Sequence, residues 1–492
     1  MSYVLGLDLG TSSLKALLVN KAGEVIASES SQYEVFSKET GFSEQNPSDW
    51  IEACDTIFSK LTQKVNDFQS ELEAISFSGQ MHSLVLLDEQ YNVLRPAILW
   101  NDVRTTKQCE EIMEKASSEL LRISKNQALE GFTLPKILWV MENEPEIWRK
   151  TAHILLPKDY LRWYLDGRLA MDYSDAAGTL LLDVEAQKWS ETLLDIFNIP
   201  LKKLPSLMHS FELTGNLREE MKQKYQLEKN VSVFTGAADN ACAAIGSGLN
   251  TSDTALVSIG TSGVFLTIEP NADVDYKGKL HFFNHAYLNS YYSMGVTLSA
   301  GASLNWFKKT FAPNQTFETL LSVIKDVPPG SEGLLFTPYL QGERTPYFDS
   351  KVRGSFVGID NHHSFSNFVR AVVEGITFSL KDSQMLMENV GKKKFQKIIA
   401  VGGGARNQEW LQIQADIFDT PVVSLTSEQG PSLGAAMIAA MGLNWFESLE
   451  DCIETFVKFS EIVYPEKMNV LAYKPVYDKY KKIYANNINL FH

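Results

Sequence analysis

The sequence predicts an α/β protein whose two domains share a duplicated core and face each other through their loops. Two observations support this prediction. The chain has 492 residues, 44% of them hydrophobic, and this length exceeds what one compact core usually organises. A β-rich run, a Gly-Thr-Ser turn and a second β-rich run also occur twice, at Leu5–Asn20 and at Ala255–Ile268. We therefore expect one domain over residues 1–245 and a second over residues 246–492.

Composition narrows the class of partner. The formal net charge of −15 disfavours nucleic acid and anionic membranes. No apolar run approaches the length of a membrane span, and the N-terminus lacks a basic segment followed by an uncharged core. The four cysteines, Cys54, Cys109, Cys242 and Cys452, have no paired spacing for zinc or for a disulfide framework. We expect a soluble protein of the reducing cytoplasm, and a homodimer is one assembly that the sequence leaves open.

The first Gly-Thr-Ser turn carries a carboxylate, Asp8, and then hydroxyls at Thr11 and Ser12 around Gly10. An isolated turn of this composition is usually an ordinary turn with local hydrogen bonds. The turn occurs twice, and aligning the two copies places Asp8 on Ser258, 250 positions later in the sequence. This duplication favours two loops that surround a phosphate. Turn N–H groups and hydroxyls donate to anionic oxygens, whereas a carboxylate repels them unless Mg²⁺ lies between. Asp8 therefore predicts Mg²⁺ bound with a nucleotide.

The second copy places Gly260 and Thr261 at the corresponding turn. A loop of the form G-x-x-x-x-G-K-[ST] is absent from the sequence, which excludes the P-loop route to the same chemistry. We expect the two turns to hold the transferring phosphate from opposite sides.

Three consecutive glycines, Gly402, Gly403 and Gly404, follow a predicted strand at residues 397–401 and precede a predicted helix from about Asn407 to Phe418. Such a stretch lets a flat ring or a phosphate lie directly against backbone. A dinucleotide fold is the rival, but Asn407 stands where that pattern needs its last glycine, and no acidic residue follows at the tip of the next strand. A tight strand-to-helix turn is the simpler alternative, and it explains one or two glycines better than three.

The segment AISFSGQMHSLVLLD predicts a strand, a turn with Met81 and His82, and a second strand. A lone histidine in such a place is more often a hydrogen-bonded structural residue than a ligand group. It also lies at the end of a strand, where α/β domains usually bind their ligands. Both interpretations stay open at this point.

A second polar run, LWNDVR, supplies Trp100, Asn101, Asp102 and Arg104. This mixture suits a polyol, because it puts a flat apolar wall beside hydrogen-bond donors and acceptors. The alternative is a helix start, with Asn101 or Asp102 capping a segment that runs from Thr106 to about residue 115.

The run VSVFTGAADNACAAIGSG predicts a strand at residues 231–234 and a small-residue helix after Asp239. Asp239 is an excellent N-cap residue, and it is equally a candidate for the group that accepts a proton from a hydroxyl during phosphoryl transfer. From these residues alone the two interpretations are equally supported.

Together these segments resemble the FGGY family of carbohydrate kinases. Residues 8–13 and 260–263 are similar to its two phosphate motifs, and residues 402–405 to its adenosine motif. The resemblance covers nearly the whole chain. It implies the actin- and hexokinase-like (ribonuclease H-like) ATPase fold, with a cleft between a sugar-binding N-terminal domain and a nucleotide-binding C-terminal domain. It also implies ATP and Mg²⁺.

Other segments, among them GFTLPKILW, LLPKDYLRWYLDG, YSDAAGTLLLDV and PYLQGERTPY, are similar to the members of this family that phosphorylate D-xylulose. The resemblance implies that Met81 and His82 contact the sugar, that Asp239 is the proton acceptor and that Asn240 lies near the sugar. Relatives often have glycines where this chain has alanines at positions 237 and 238. Trp306 is predicted on a helix, where core packing is the default, although a tryptophan at this place contacts nucleotide in some relatives.

Two alternatives remain open from the sequence. Another kinase of the family, acting on gluconate, ribulose or glycerol, would share every phosphate residue and differ around Met81, His82 and residues 101–104. A sugar sensor or filament protein on the same fold would keep the nucleotide loops and could lose the base. The polar loop Pro338–Ile359 has no assigned role, and the aromatic residues near the C-terminus predict a helix packed on its own domain.

Overall fold

The computed structural model describes residues 2–492, and its N-terminal half combines helices with one large sheet and several short strand pairs. The strands of this half are β1 (Tyr3–Leu9), β2 (Ser13–Asn20), β3 (Val25–Gln32), β4 (Glu44–Gln45), β5 (Leu72–Gly79), β6 (Val85–Leu87), β7 (Ala97–Ile98), β8 (His153–Leu155), β9 (Ala170–Asp172), β10 (Leu182–Asp183), β11 (Lys188–Trp189), β12 (Ser206–Met208), β13 (Leu213–Asn216), β14 (Ser232–Phe234) and β15 (Ala237–Ala238). The helices are α1 (Pro47–Lys64), α2 (Phe68–Glu71), α3 (Thr106–Ser124), α4 (Thr133–Asn143), α5 (Pro145–Lys150), α6 (Pro157–Asp166), α7 (Tyr173–Ala177), α8 (Glu191–Phe197), α9 (Glu219–Lys224) and α10 (Asp239–Gly246).

The C-terminal half is organised in the same way around a second sheet. Its strands are β16 (Thr254–Ile259), β17 (Gly263–Glu269), β18 (His281–Asn284), β19 (Tyr291–Thr297), β20 (Leu335–Thr337), β21 (Ser355–Val357), β22 (Lys397–Gly402) and β23 (Val422–Ser424). Its helices are α11 (Gly301–Phe311), α12 (Phe317–Ser322), α13 (Phe365–Asn389), α14 (Gln408–Phe418), α15 (Pro431–Gly442), α16 (Leu449–Phe456) and α17 (Lys467–Asn487).

The two large sheets share a core of five strands in the same order, and each has a further strand at a different edge. In the first, the order is β13-β14-β5-β1-β2-β3, with β15 also paired to β5, and in the second it is β18-β19-β17-β16-β22-β23. The pairs β1/β2 and β16/β17 are antiparallel hairpins, while β5 and β22 join β1 and β16 in parallel. The strands β14 and β23 continue each parallel side. The predicted α/β fold with a duplicated core is therefore confirmed.

Strand β1 is buried on both faces, as expected for a central strand covered by helices on each side. Because successive side chains point to opposite faces, Leu5, Leu7 and Leu9 pack into one core, which also contains residues of α1. Gly6 and Asp8 lie on the other face. Alternation along the strand thus directs the Asp8 carboxylate away from the α1 side of the sheet.

Helix α15 joins the two halves through small residues. A Cβ on Gly6 of β1 would lie 2.0 Å from the carbonyl oxygen of Ser432, and a Cβ on Gly434 would lie 1.9 Å from the carbonyl oxygen of Cys242 in α10. Nearly every residue of α15 is buried. A helix from the C-terminal half therefore completes the packing of β1 and α10 in the N-terminal half.

Several predicted elements occur where the sequence placed them. The strand and helix around the three glycines are β22 and α14, the tryptophan helix is α11, and the aromatic C-terminal segment is α17. All four cysteines are buried and unpaired. Among residues 2–492, we find no helix with both the length and the apolar character needed to cross a membrane.

Candidate active site

The first predicted phosphate turn is an exposed hairpin between β1 and β2. The N–H of Gly10 donates to the carbonyl oxygen of Ser13 at 3.1 Å, and the Thr11 hydroxyl accepts a hydrogen bond from the Trp100 indole at 2.9 Å. Ser12 is exposed at the tip. In the second half, Gly260 and Thr261 are exposed in the equivalent hairpin between β16 and β17. The carbonyl oxygens of Gly260 and Thr261 accept from the N–H groups of Gly301 and Ala302 at 2.8 and 3.0 Å, so each turn is held by a neighbouring segment.

Asp8 lies in strand β1 and not in the turn itself, which corrects its predicted position. It pairs with Lys15 across the hairpin and with Ser78 on β5. Burial raises the pKa of Asp8, although the Ser78 hydroxyl and the Lys15 charge act in the opposite direction. The ionised carboxylate is therefore poorly compensated by the protein, as expected for a group that meets a cation during function.

Asp239 is the first residue of α10, so its predicted role as an N-cap is wrong. Ala238 occupies the cap position and makes no side-chain hydrogen bond there. The reason is that β15 extends to Ala238, which pairs with Gly79, so the helix starts one residue later. The Asp239 Oδ1 atom accepts from the backbone N–H of Asn240 at 2.7 Å and from its side-chain amide at 2.9 Å.

Asp8 and Asp239 lie at the same end of the first sheet. Ser78 of β5 pairs with Asp8 of β1 on one side and with Ala237 of β15 on the other, and Asp239 directly follows β15. Burial and, second, the charge of Asp8 raise the pKa of Asp239 to about 7. A carboxyl group with such a pKa can gain and lose a proton near neutral pH, which suits a general base.

The donor chemistry at Asp8 fits Mg²⁺ held mainly by a nucleotide. Carboxylate oxygens are preferred Mg²⁺ ligands, and Mg²⁺ commonly uses one or two carboxylates together with phosphate oxygens and water. Within residues 2–492, no group of three or more His, Cys, Asp or Glu side chains could hold a metal by itself. Asp8 would therefore anchor a metal whose other ligands come from the substrate and from water.

The predicted sugar turn presents His82 in a strained, fixed geometry. Its backbone has a φ of 67°, and its Nδ1 lies 2.7 Å from the carbonyl oxygen of Gly178. Because a carbonyl oxygen can only accept a hydrogen bond, Nδ1 must carry the proton. The ring also contacts Phe132, with ring centroids 4.6 Å apart. Burial lowers the pKa of His82 to about 3. The imidazole is therefore neutral with its proton on Nδ1, and Nε2 is free to accept a hydrogen bond from a hydroxyl.

Met81 connects the sugar turn to the start of α10. Its sulfur accepts contacts from the Asn240 amide at 3.8 Å and from the Tyr292 hydroxyl at 3.7 Å. The Asn240 amide also donates to Asp239. Met81, Asn240 and Asp239, predicted from separate segments, therefore form one contiguous group.

The LWNDVR segment divides into an exposed and a buried part. Trp100 and Asn101 are exposed, and Trp100 reaches the phosphate hairpin through Thr11. Asp102 is fully buried, and its two oxygens accept from the Arg104 guanidinium at 2.9 and 2.7 Å. Because this ion pair already occupies both side chains, the geometry favours a role in fixing the loop that carries Trp100 and Asn101.

The alternative helix-cap interpretation of Asn101 and Asp102 is wrong. The cap position of α3 is Thr105, and it makes no side-chain hydrogen bond to the helix. Asp102 instead accepts from the backbone N–H groups of Ser43 and Arg104 at 2.6 and 3.0 Å. Its carboxylate holds two loops together ahead of the helix.

The C-terminal half contains a cavity of about 1120 Å³, large enough for a nucleotide. It brings together residues predicted from three separate segments, and its predicted lining residues are Gly260, Thr261, Trp306, Gly403, Gly404 and Asn407. The indole of Trp306 is half-buried and stacks on Phe336 with an interplanar angle of 11°. Trp306 therefore both packs on a core residue and lines the cavity, and its contact with a nucleotide stays a prediction.

The three glycines serve different purposes. Gly402 has a φ of 81°, and a Cβ there would lie 2.7 Å from the carbonyl oxygen of Ile259. A Cβ on Gly404 would lie 2.6 Å from the Ile259 side chain, whereas a Cβ on Gly403 would meet only ordinary contacts. Two glycines therefore permit close packing on β16, and Gly403 leaves backbone open to the cavity. Asn407 caps α14 by accepting from the Trp410 N–H at 2.9 Å.

Sequence reasoning missed several residues of the site. The Gly178 carbonyl fixes the His82 tautomer, the Tyr292 hydroxyl contacts Met81, and the Glu428 carboxylate accepts from the Gly402 N–H at 3.0 Å. Burial is the main cause of the lowered pKa of His82, and the charges of Lys136 and then of Arg344, from the polar loop after β20, lower it further. These contacts join positions far apart in the chain, and no local pattern signals them.

Comparison with known proteins places this geometry in a family. Residues 3–246 match the N-terminal domain of the FGGY family of carbohydrate kinases, and residues 255–443 match its C-terminal domain. The xylulose kinase of Lactococcus lactis is 53% identical over 100% of this chain and 98% of the relative. The xylulose kinase of Bacillus subtilis is 50% identical with the same coverage, and the gluconokinase of that organism is 29% identical over 94% of this chain and 92% of the relative.

Solved structures give the same result for the fold. A sugar kinase from Brucella ovis, described as a "xyloylose kinase", superposes with a TM-score of 0.94 at 35% identity, covering 99% of this chain and 100% of the other. A gluconate kinase from Lactobacillus acidophilus has a TM-score of 0.95 at 28% identity, covering 100% and 99%.

Proposed function

The chain belongs to the FGGY family of carbohydrate kinases, and we propose that it transfers the γ-phosphoryl group of ATP to the C5 hydroxyl of D-xylulose. Full-length identity of 53% to a xylulose kinase, against 29% to a gluconokinase, supports D-xylulose over gluconate. The observation that carries the proposed chemistry is the contiguous group formed by Asp239, Asn240 and Met81 beside His82.

Asp239 accepts the proton of the sugar C5 hydroxyl in this proposal. The hydroxyl oxygen forms a bond to the γ-phosphorus as the bond from that phosphorus to the β–γ bridging oxygen breaks, and ADP leaves. The neutral His82 accepts a hydrogen bond from a sugar hydroxyl at Nε2. Met81 and Trp100 supply apolar contacts, and Asn101 and Asn240 supply polar ones. Asp102 and Arg104 act by holding the Trp100 loop in place.

The two hairpins and the C-terminal cavity bind the nucleotide. Gly10, Thr11 and Ser12 face the transferring group from one side, and Gly260 and Thr261 from the other, through N–H groups and hydroxyls. The adenosine portion lies between Trp306 and the backbone at Gly403 and Gly404. Mg²⁺ at Asp8 would neutralise charge on the phosphates, and closure of the domains would exclude competing water.

The location and assembly of the protein follow as further parts of the proposal. We expect activity in the reducing cytoplasm, where four buried free thiols are compatible with the fold. A homodimer remains a prediction, and light scattering of the purified chain would test it.

A coupled ADP-release assay over D-xylulose, D-ribulose, gluconate and glycerol tests the substrate. We expect the highest kcat/KM for D-xylulose, because buried groups built to bond particular hydroxyls discriminate strongly against sugars that lack them. A higher kcat/KM for gluconate or glycerol would reject D-xylulose while leaving the kinase assignment intact. Absence of sugar-dependent ADP release with every compound would instead support a sensor or filament role.

A further inference from the structure

A buried charged cluster lies beneath the sugar site and is not used by the proposed chemistry. The Lys158 ammonium is 2.7 Å from Asp159, 3.1 Å from Asp172 and 3.3 Å from Asp175. All four side chains are fully buried. Burial lowers the pKa of Lys158, but the three carboxylates raise it by more, so the ammonium stays protonated. Arg162 lies 3.9 Å from Asp159, so removal of Lys158 would leave Asp172 and Asp175 as the buried carboxylates that lose their ion pair, which is costly.

Helix α7 connects this cluster to two parts of the sugar site, the segment before Asp239 and the turn that contains His82. Asp172 caps the helix by accepting from the Ser174 N–H at 2.8 Å, and it also accepts from the Ser174 hydroxyl. That hydroxyl in turn accepts from the backbone N–H of Ala238 at 2.9 Å, directly before Asp239. The position of Asp239 is therefore connected to Asp172 through one serine.

The other end of α7 holds the sugar turn. The carbonyl of Gly178, immediately after the helix, accepts from His82 at 2.7 Å. A Cβ on Gly178 would lie 2.8 Å from the His82 ring, so only glycine permits this approach. Asp175, on the helix between the two contacts, is held by the same Lys158 ammonium.

Lys158 also packs against the residue that precedes the sugar turn. A Cβ on Gly79 would lie 2.8 Å from the Cβ of Lys158. Gly79 ends β5 and is followed at once by the turn that contains Met81 and His82. The lysine thus packs against one end of the turn while its ammonium fixes the helix that binds the other.

We propose that Lys158, Asp172 and Ser174 are positioning residues for phosphoryl transfer, which hold helix α7 so that His82 and Asp239 keep their mutual geometry. The inference rests on the proposed roles of those two residues. None of the three reaches the reacting atoms, because all are fully buried. A displacement of about 1 Å at a reacting group can lower a rate by about 100-fold, so loss of this support should appear in catalysis and not only in stability.

The test uses Lys158→Met and the milder Ser174→Ala, each assayed as folded protein with the best sugar of the substrate panel. We expect kcat to fall about 100-fold in Lys158→Met and about tenfold in Ser174→Ala, with a raised KM for the sugar. ADP affinity should stay unchanged, because the nucleotide cavity lies in the other half.

Two controls separate positioning from general destabilisation. Arg370→Met breaks a buried ion pair with Glu374 on α13, and Ser124→Ala removes a buried hydroxyl that donates to the Leu120 carbonyl at 2.8 Å. Both should lower the melting temperature while kcat per folded molecule stays near the wild-type value. If Lys158→Met does not fold, the comparison of Ser174→Ala with Ser124→Ala decides alone.

A Ser174→Ala protein with wild-type kcat and sugar KM would overturn the proposal. Asp239→Asn, assayed in parallel, identifies which inference has failed. If Asp239→Asn is inactive and Ser174→Ala is normal, only the positioning role is rejected. If Asp239→Asn is fully active, the proposed base is wrong, and the sugar KM of Ser174→Ala still tests the connection to His82.

Discussion

At the scale of single residues, the proposed chemistry depends on two carboxylates, Asp8 and Asp239, that the fold brings to one end of a sheet. Asp239 starts a helix without capping it, so the substitution Asp239→Asn removes proton acceptance and little else. An asparagine at position 239 keeps an Oδ1 atom that accepts from the Asn240 N–H. It also removes the charge repulsion between residue 239 and the Asp8 carboxylate. The residue is therefore a clean target for mutation.

We expect Asp239→Asn to fold with an unchanged or higher melting temperature and to lose about 10²- to 10⁴-fold in kcat, the usual contribution of a general base. ADP binding, measured by calorimetry, should persist. Asp49→Asn, which changes another first-turn carboxylate in α1, serves as the matched control and should retain full activity. Near-normal turnover of folded Asp239→Asn would exclude Asp239 as the base.

The raised pKa of Asp239, about 7, predicts an acid limb in the pH profile. A base must be ionised to accept a proton, so kcat/KM should increase with pH up to about 7 and then level off. His82 should add no second limb near its ordinary pKa of about 6.5, because burial lowers its pKa to about 3 and keeps Nε2 unprotonated. An additional acid limb that disappears in His82→Gln would contradict this picture.

Asp8→Ala should lower kcat by about 100-fold or more and weaken the dependence of ADP binding on Mg²⁺. The melting temperature should not fall, because the variant removes a buried carboxylate whose pKa is raised by its surroundings. Calorimetric titration of ADP at several Mg²⁺ concentrations provides a measurement independent of turnover. An unchanged Mg²⁺ dependence would leave the Asp8 carboxylate without a role in metal binding.

At the scale of elements, local pattern predicted the hairpins, β22, α14 and the helix after Asp239. These elements depend on alternation of apolar and polar residues, on glycine turns and on runs of small residues, and each of these patterns can be recognised within a few positions. The exact start of α10 was not predictable, because the pairing of Ala238 with Gly79 decides it and those residues are distant in the chain. The same reason explains why Gly178 and Tyr292 were missed, because their partners His82 and Met81 are distant from them in the chain.

Helices α10 and α15 cross so closely that added volume at the crossing should destabilise the fold. A side chain at Gly434 would meet the Cys242 carbonyl oxygen at 1.9 Å, so Gly434→Ala should lower the free energy of unfolding by about 1–3 kcal/mol. Because α10 begins with Asp239, kcat should also fall. Gly215→Ala is the control, since a Cβ there meets no atom within 4 Å. Equal denaturation midpoints for both variants would show that the crossing tolerates added volume.

At the scale of the whole molecule, each half is built on one of the two large sheets, and the proposed function assigns the sugar to one half and the nucleotide to the other. The two similar turns predicted the duplicated core, and the resemblance to the FGGY family implied the division of roles. The sequence did not predict that the halves share a helix, because the largely apolar run of α15 does not reveal that its contacts Gly6 and Cys242 lie in the other half. The two halves therefore share a topology, but the N-terminal half depends on a helix of the C-terminal half for its packing.

This shared helix has a consequence for biosynthesis. A ribosome releases the N-terminal residues first, yet one face of β1 and α10 stays uncovered until residues 431–442 emerge. The nascent N-terminal half must therefore wait, partly folded and exposing apolar surface, for most of the chain to be translated. Residues 1–246 produced alone should aggregate or bind a chaperone, and separately encoded residues 247–492 should restore their solubility when both are produced in the same cell.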